Sequence, residues 1–504
     1  MIEKIIEKLT SFLGYEIRVG EYYNKIDEWK QWYNGFVKDF HLSNEQGRPV
    51  KKYTLGMAKK IGEDYSALVV NEQTTIKTDD KKVLDFLVGD DENNGGIFKK
   101  INFWKNLNDY CERMYGYAGS IAAIVGMNNA DVAGREISGD DYTVRFCTSE
   151  HIIPLSWDGS DISEAAFYSV KSVRGNVYVI LEIHTKEPTG GYKVQNKIYL
   201  LKNGELAETG AAVLDQFSLA EFVNFPFKPF SICTANISNN FVEGFPLGIP
   251  AIANALDEIK NCDIYFNNFA QDGALGKKRL FISEEFVETE TITDAQGNIK
   301  RRPINPEYSQ SPFYVMKKDN MLNGAASALW QEFNPVLRVQ ENREAIQTAL
   351  NLLSFKVGFG NQFYVFNDNA ASYVTATQVR ASNMPLTYNI NKQRTPFWRF
   401  IQDICHALIG LANTQRAGLN ADADIIVNWD DSLLSDPVSE KASDMQAVTI
   451  GIMTAWEFRV KWYGDTEEEA KRIIAEEKSS LSAGINDLFN NPAAMITGNN
   501  NNNG

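Results

Sequence analysis

Apolar residues in this chain recur at two periods, and the change from one to the other divides it. Near the N-terminus the step is three or four residues. Ile2, Ile5, Ile6, Leu9 and Leu13 share one helical face, and Ala58, Ile61, Tyr65, Leu68 and Val69 share another within Leu55–Val70. Phe103–Tyr117 repeats the pattern with Leu107, Tyr110, Cys111 and Met114, and the aromatic-rich Tyr22–Phe36 closes at Asn34-Gly35. Residues 1–130 therefore read as mostly helical, with the stripes packing helix on helix. From Asp141 the step shortens. Tyr142–Phe146, Ile152–Trp157, Ala166–Val173, Val177–His184 and Lys193–Leu201 are β-prone runs separated by turns such as Trp157-Asp158-Gly159 and Lys202-Asn203-Gly204. That spacing predicts an antiparallel meander or sandwich. The proline-punctuated Glu221–Ser231 reads as a linker pinned by stacked rings.

Helical spacing returns from Gly248 to Arg416. Ile249–Phe269 places Ile252, Leu256, Ile259, Cys262, Phe266 and Phe269 at steps of three or four, with Pro250 near its start where a missing N–H matters least. A second helix is predicted over Val336–Val357, introduced by Asn334-Pro335 and carrying Val339, Ile346, Leu350, Leu353 and Val357. The intervening segment opens Lys277-Lys278-Arg279 and contains β-prone runs at Arg279–Ile282 and Phe313–Met316. Ile252, Ile264, Tyr265 and Phe269 give the first helix more apolar surface than one partner helix covers, which predicts self-association. Gly358–Tyr373 reads as a loop or short hairpin. Thr375-Ala376-Thr377 caps a further helical segment, Phe397–Gln415 is a helix, and Ala421–Trp429 is a short strand. The remainder is helical and acidic, with 15 Asp and Glu against 6 Lys and Arg from Ala421 to the end, and its asparagine tail, 498–504, is expected to be disordered.

Size and charge narrow the classes. A 504-residue chain that is 44% apolar and 12% aromatic is folded and large enough for two to four subdomains. A net charge of −15 argues against sequence-specific grip on DNA, though not against DNA passing by. The five cysteines are odd in number and far apart, which fits a cytosolic history without structural disulfides. The charged N-terminus does not read as a signal peptide, and no apolar run reaches membrane-spanning length.

Catalytic chemistry is not legible. His41, His151, His184 and His406 lack metal-ligand spacing, and there is no HExxH, CxxC, Walker A or GxGxxG motif, so neither enzyme activity nor a cofactor is expected. Asp422, Asp424, Asp430 and Asp431 lack the loop of an EF-hand and read as a solvated surface before a divalent-ion site. Basic residues cluster in the segment between the two helices: Lys277, Lys278, Arg279, Lys300, Arg301, Arg302, Lys317 and Lys318. They alternate with Glu284, Glu285, Glu288 and Glu290, so the lobe is nearly neutral. Surface solubility and subunit salt bridging account for this, as does docking to an acidic partner or to DNA phosphates.

Several ordered phrases resemble a known family. They are Leu55-Gly56-Met57-Ala58-Lys59-Lys60-Ile61-Gly62-Glu63-Asp64-Tyr65 running to Asn71-Glu72, then Gly248-Ile249-Pro250 with the helix ending Lys277-Lys278-Arg279-Leu280-Phe281-Ile282. Asn334-Pro335-Val336-Leu337-Arg338, Thr348–Gly358 and Thr375-Ala376-Thr377-Gln378-Val379 follow at matching distances. Together they resemble the siphophage-type portal proteins of tailed double-stranded DNA bacteriophages infecting Gram-positive hosts. Other readings are a different virion structural or scaffolding protein, or a nucleic-acid-processing enzyme.

The resemblance implies an α+β portal fold assembled as a ring of twelve subunits around an axial channel. In that fold 1–247 is the wing, 248–276 the first stem helix, 277–331 a small α/β clip and 332–358 the second stem helix. The tunnel loop is 359–374, the long kinked helix and return to the wing 375–430, and the crown 431–504. Asn389–Phe397, containing Lys392, Arg394 and Pro396, interrupts the long helix where the kink is expected. The implied channel loop carries Asn367, Asp368 and Asn369. Clip docking falls to Lys300, Arg301, Arg302, Lys317 and Lys318, and the stem carries Lys277 and Arg338. Implied partners are the terminase ATPase, the head-tail connector, the major capsid and scaffolding proteins, and duplex DNA without sequence preference. The implied location is the portal vertex of the virion, after assembly in the host cytoplasm.

Overall fold

The four N-terminal stripes form helices because each buries its apolar face. They are α1 (Ile2–Leu13), α2 (Tyr22–Tyr33), α3 (Met57–Val69) and α4 (Phe103–Arg113). A computed structural model of the chain describes residues 1–17, 21–45, 48–70, 74–89, 95–128, 131–133, 136–138, 141–188, 190–209, 222–283, 289–293, 297, 299–303, 313–316, 330–365, 376–429 and 437–476. They divide into two units, Met1–Ser372 with Met384–Trp429, and Tyr373–Asn383 with Asp430–Gly504.

In the larger unit α4 continues through a buried π-turn, Met114–Ala118, into strand β1 (Ser120–Met127). Residues 1–130 are mostly helical as expected, and this strand is an element the helical reading did not include. Ser120–Ile124 is buried throughout, so it lacks the alternation that marks a half-exposed strand. Strand β2 (Tyr142–Thr148), expected as the first strand of the meander, pairs with β1 in a separate sheet, and the meander follows as β3 (Ile152–Asp158), β4 (Asp161–Val173), β5 (Asn176–Lys186), β6 (Tyr192–Lys202) and β7 (Glu205–Glu208). Strands β3 to β7 pair in sequence order, each antiparallel to the next. The face of this sheet carrying Ile153, Val179, Leu181 and Ile183 receives Ile5 and Leu9 of α1. Its stripe thus packs on a sheet and not on another helix.

The expected linker at Glu221–Ser231 is also corrected. Its ends are strands β8 (Phe222–Phe225) and β9 (Phe230–Thr234). β8 joins the meander at β6, whereas β9 pairs with β1, which pairs with β2 on its other side. Phe230 is buried against Phe167, His184 and Tyr192, and Phe225 is buried as well, so these two rings belong to the core.

Two further helices project from this core, α5 (Leu256–Leu275) and α6 (Val339–Lys356). The first begins later than the expected Ile249. Its would-be first turn is held otherwise: the Gly248 carbonyl accepts from the Tyr22 hydroxyl, Gly248 N–H donates to Ser120, and Ala251 N–H donates to the Tyr115 carbonyl. Ile249 and Ile252 are buried there, so Ile252 does not contribute to an outer helical face. Gly119 makes the approach feasible. With φ +70° and a hypothetical Cβ only 2.2 Å from the Gly248 carbonyl oxygen, no other residue fits.

Beyond α5 the chain enters a β lobe of β10 (Arg279–Ser283), β11 (Thr289–Thr293), β12 (Ile299–Pro303), β13 (Phe313–Met316) and β14 (Trp330–Phe333). β10 is central, parallel to β13 and antiparallel to β14, while β11 and β12 form a two-stranded ribbon. The last long element, α7 (Ala376–Thr414), is one continuous helix with Pro385 and Pro396 inside it. The interruption expected at Asn389–Phe397 therefore does not end the helix. The strand expected at Ala421–Trp429 is confined to Ile426–Asn428, paired with Thr75–Lys77.

In the smaller unit the described elements include α8 (Pro437–Thr449), α9 (Ala455–Tyr463) and a helix at 467–476. Thr454 and Glu457 form a capping box at the start of α9. Asp444 accepts from Lys461 and from the Trp462 indole, and among the described side chains of 441–476 only Ala470 is fully buried. The asparagine tail lies outside the described residues.

Candidate assembly and channel elements

Helices α5 and α6 pack against each other, and their buried apolar residues are Ile259 and Cys262 on α5 and Ile346, Ala349, Leu350 and Leu353 on α6. Their root is a buried carboxylate. Asp263 accepts from the Leu55 N–H at 2.7 Å and the Thr54 hydroxyl at 3.1 Å, with His41 Nε2 at 3.1 Å. One turn on, Asn267 accepts from the Tyr53 N–H. A carboxylate removed from water needs such partners, and they come from a segment more than 200 positions earlier. Asp263 sits among apolar helical positions, and that misplacement was its only signal in the sequence.

The far end is held by exposed polar groups. Asp272 accepts from Arg338 at 2.9 Å and Asn342 at 2.8 Å, and these bonds hold its carboxyl below the usual range. Arg338 is thus paired across the two helices. Lys277 is exposed where α5 gives way to β10, and the neighbouring Lys278 pairs with Glu332 of β14 at 2.7 Å. Lys300, Arg301 and Arg302 lie on β12 opposite Ile292, Thr291 and Glu290 of β11. The structure thus brings Lys277 and Arg338 to the same, far end of the helix pair and puts the three clip residues on the ribbon. Lys317, Lys318, Asn367, Asp368 and Asn369 lie outside the described residues.

What the pair leaves uncovered is apolar. Ile264, Tyr265 and Phe269 on α5 are each close to two-fifths exposed, and on α6 Leu352 is 57% and Phe355 69% exposed. These are large groups on regular helices of a folded unit, the kind of surface that marks an interaction site.

The end of α6 is clasped to the core. Tyr65 stacks on Tyr115, lies against Phe359, and donates its hydroxyl to the Val357 carbonyl. Asn389 of α7 donates to the Tyr65 hydroxyl at 2.8 Å and to the Gly358 carbonyl at 3.2 Å. Gly358 has φ +84°, and a Cβ there would stand 2.6 Å from the Asn389 amide nitrogen. Phe359, Phe363 and Tyr364 then pack on one another, and the Tyr364 carbonyl accepts from Gln347 of α6. Sequence reading placed Tyr65 in a helical stripe but did not find its polar role, because its partners lie about 290 and 320 positions away.

Reactive groups are quiet. All five cysteines are free, and burial pushes the Cys147 and Cys262 thiols up to about 12, far from thiolate chemistry. Among the described residues no three His, Cys, Asp or Glu side chains group as a metal site, and no helix is long and apolar enough to cross a membrane.

No curated protein matches the chain. The family described as phage portal protein, SPP1 Gp6-like, matches residues 18–482, a span that takes in the meander, the helix pair, its β lobe and α7. Members of that family are structural DNA-packaging proteins of the capsid vertex, and this chain belongs to it.

Proposed function

We propose that this portal protein works as a closed ring of twelve copies, with α5 and α6 as the stem that surrounds the DNA channel. In this reading 1–247 is the wing, 248–276 and 332–358 the stem, 277–331 the clip, 359–374 the channel loop, 375–430 the long helix with its return, and 431–504 the crown. The observation that carries it is the exposed apolar surface on both α5 and α6, which a monomer leaves in water. A heterologous contact between these faces, repeated around an axis, closes into a ring.

Translocation then needs little affinity for DNA. Each phosphate held by a cation adds grip and salt dependence, and a chain of net charge −15 offers few such holds. Asn367, Asp368 and Asn369 would face the duplex as a small polar constriction. Lys300, Arg301, Arg302, Lys317 and Lys318 would meet the terminase ATPase and later the head-tail connector, while the capsid and scaffolding proteins would contact the wing. Lys277 and Arg338 would sit where stem gives way to clip. Assembly would take place in the host cytoplasm before the ring enters the virion vertex.

Light scattering of the purified protein at micromolar concentration tests this reading. A closed oligomer of fixed mass is expected, and a monomer at every salt concentration would overturn it.

A further inference from the structure

Proline at position 396 costs α7 one hydrogen bond, and the structure shows what replaces it. A helical residue donates its N–H to the carbonyl four positions earlier, so Pro396 leaves the Lys392 carbonyl without its usual partner. The side-chain amide of Asn236, in the loop after β9, donates to that oxygen at 2.8 Å. The same loop grips the next residue twice. Asn236 N–H donates to Gln393 Oε1 at 2.8 Å, and Gln393 Nε2 returns a longer bond of 3.4 Å to the Asn236 carbonyl. Gln393 is buried and also accepts from the Tyr115 hydroxyl at 3.2 Å, while Arg394 donates to the Leu68 carbonyl at 3.2 Å. One turn of α7 is therefore held from several sides immediately before its proline.

The space beside this turn is open. A cleft of about 940 Å³ is lined by Asn236, Lys392, Thr395, Pro396 and Arg399 together with Trp157 and Asp161, the last paired with Arg399 at 3.5 Å. A helix that has lost a backbone bond and borders such a cleft has room to bend there. The borrowed amide opposes that bending.

We propose that Asn236 is a positioning residue for DNA translocation: its side-chain N–H stands in for the one missing at Pro396 and holds α7 at a set orientation. The proposal rests on the portal reading above. Asn236 does not touch DNA in this account; it acts through α7.

The test is a cycle of substitutions on the full chain, read as ring formation and as DNA packaged by heads carrying each variant. Asn236→Asp keeps the shape of the side chain and removes its donor; Asn236→Ala removes the group without adding charge. Neither change touches the backbone bonds to Gln393. Both variants are expected to form rings and to package several-fold less DNA than the parent. Pro396→Ala restores an N–H four residues after Lys392, so adding it to Asn236→Ala is expected to return packaging to nearly the parent level. A mainly structural loss elsewhere in the loop would not be repaired from across the contact. Wild-type packaging by both Asn236 variants overturns the proposal, as does a Pro396→Ala background that leaves the Asn236→Ala defect unchanged. If the variants form few rings, the same rescue is read on ring yield, and its absence there has the same meaning. Failure of the parent itself to form rings would instead count against the portal reading.

Discussion

The core around α3, α4 and β1 and the helix pair α5–α6 use similar residues to opposite ends. In the core, Tyr65, Phe103 and Tyr115 are fully buried, and even the β-strand at its centre has no wet face. In the helix pair, residues of the same kind stand in water: Tyr265 and Phe269 on one helix, Leu352 and Phe355 on the other. The pair is closed on its inner side, at its root around Asp263 and where the end of α6 meets Tyr65. The core is complete within one chain, whereas the helix pair keeps large apolar groups that the same chain leaves exposed. Hydrophobicity alone does not separate the two, because what matters is how many sides of an element the same chain covers.

The comparison is broken most severely from inside the core. Phe103 stacks on Phe98 with ring centroids 4.1 Å apart and is wholly buried. Phe103→Ala is expected to destabilise the chain by about 3–5 kcal/mol, seen as an earlier denaturant midpoint under conditions where assembly does not intervene. A midpoint within experimental error of the parent would show the core to be far looser than its packing implies.

Acid attacks the sheet next. Burial works to raise the Glu182 pKa, but the Arg145 guanidinium and the hydrogen bond with His184 outweigh it, leaving the carboxyl at about 2. A carboxyl depressed in the folded state stabilises above its unfolded value near 4.5 and loses that contribution as pH falls toward 2. The loss is on the order of 2–3 kcal/mol. Glu182→Gln should flatten the stability profile across that window, and an unchanged slope would assign the acid sensitivity to other groups.

On the helix pair, Leu352→Ser with Phe355→Ser should alter the stability of the single chain by about 0.5 kcal/mol or less, as for exposed positions generally. Ring yield should nevertheless fall sharply in size-exclusion chromatography. Intact rings from this double variant would mean that assembly uses another surface. The smallest effect is expected at the exposed far end. Arg338→Ala should leave the melting midpoint in place while the Asp272 carboxyl, relieved of its first hydrogen-bond donor, titrates nearer its ordinary value by NMR.

Much of this architecture was legible because it is local. The stripe of α1, the alternation from Tyr142 onward and the spacing in α6 each encode an element within a dozen or so residues. Errors fell where local signals were silent or misleading. Ser120–Ile124 has no alternation because both faces are covered. Ile249–Ala253 has helical spacing, yet Ala251 N–H donates to the Tyr115 carbonyl and the preceding Gly248 is bonded to Tyr22 and Ser120. The phenylalanines at 222–230 read as a pinned linker because the strands receiving them, β6 and β1, are distant in sequence. For the candidate functional elements, the helix pair and the exposed residues Ile264, Tyr265 and Phe269 were visible in advance. The anchoring side chains Asp263, Tyr65, Asn389 and Asn236 were not.

By itself the sequence determined the order of elements, the portal family phrases, and a surplus of apolar surface on a long helix. Those follow from periodicity and composition, which survive without knowledge of neighbours. Only the tertiary structure decided which apolar faces the chain covers itself, where α5 begins, and how α7 passes through two prolines without ending. The physical reason is that a buried polar group or an orphaned carbonyl takes whichever donor comes within about 3 Å. At Lys392 that donor is Asn236, 156 positions away along the chain.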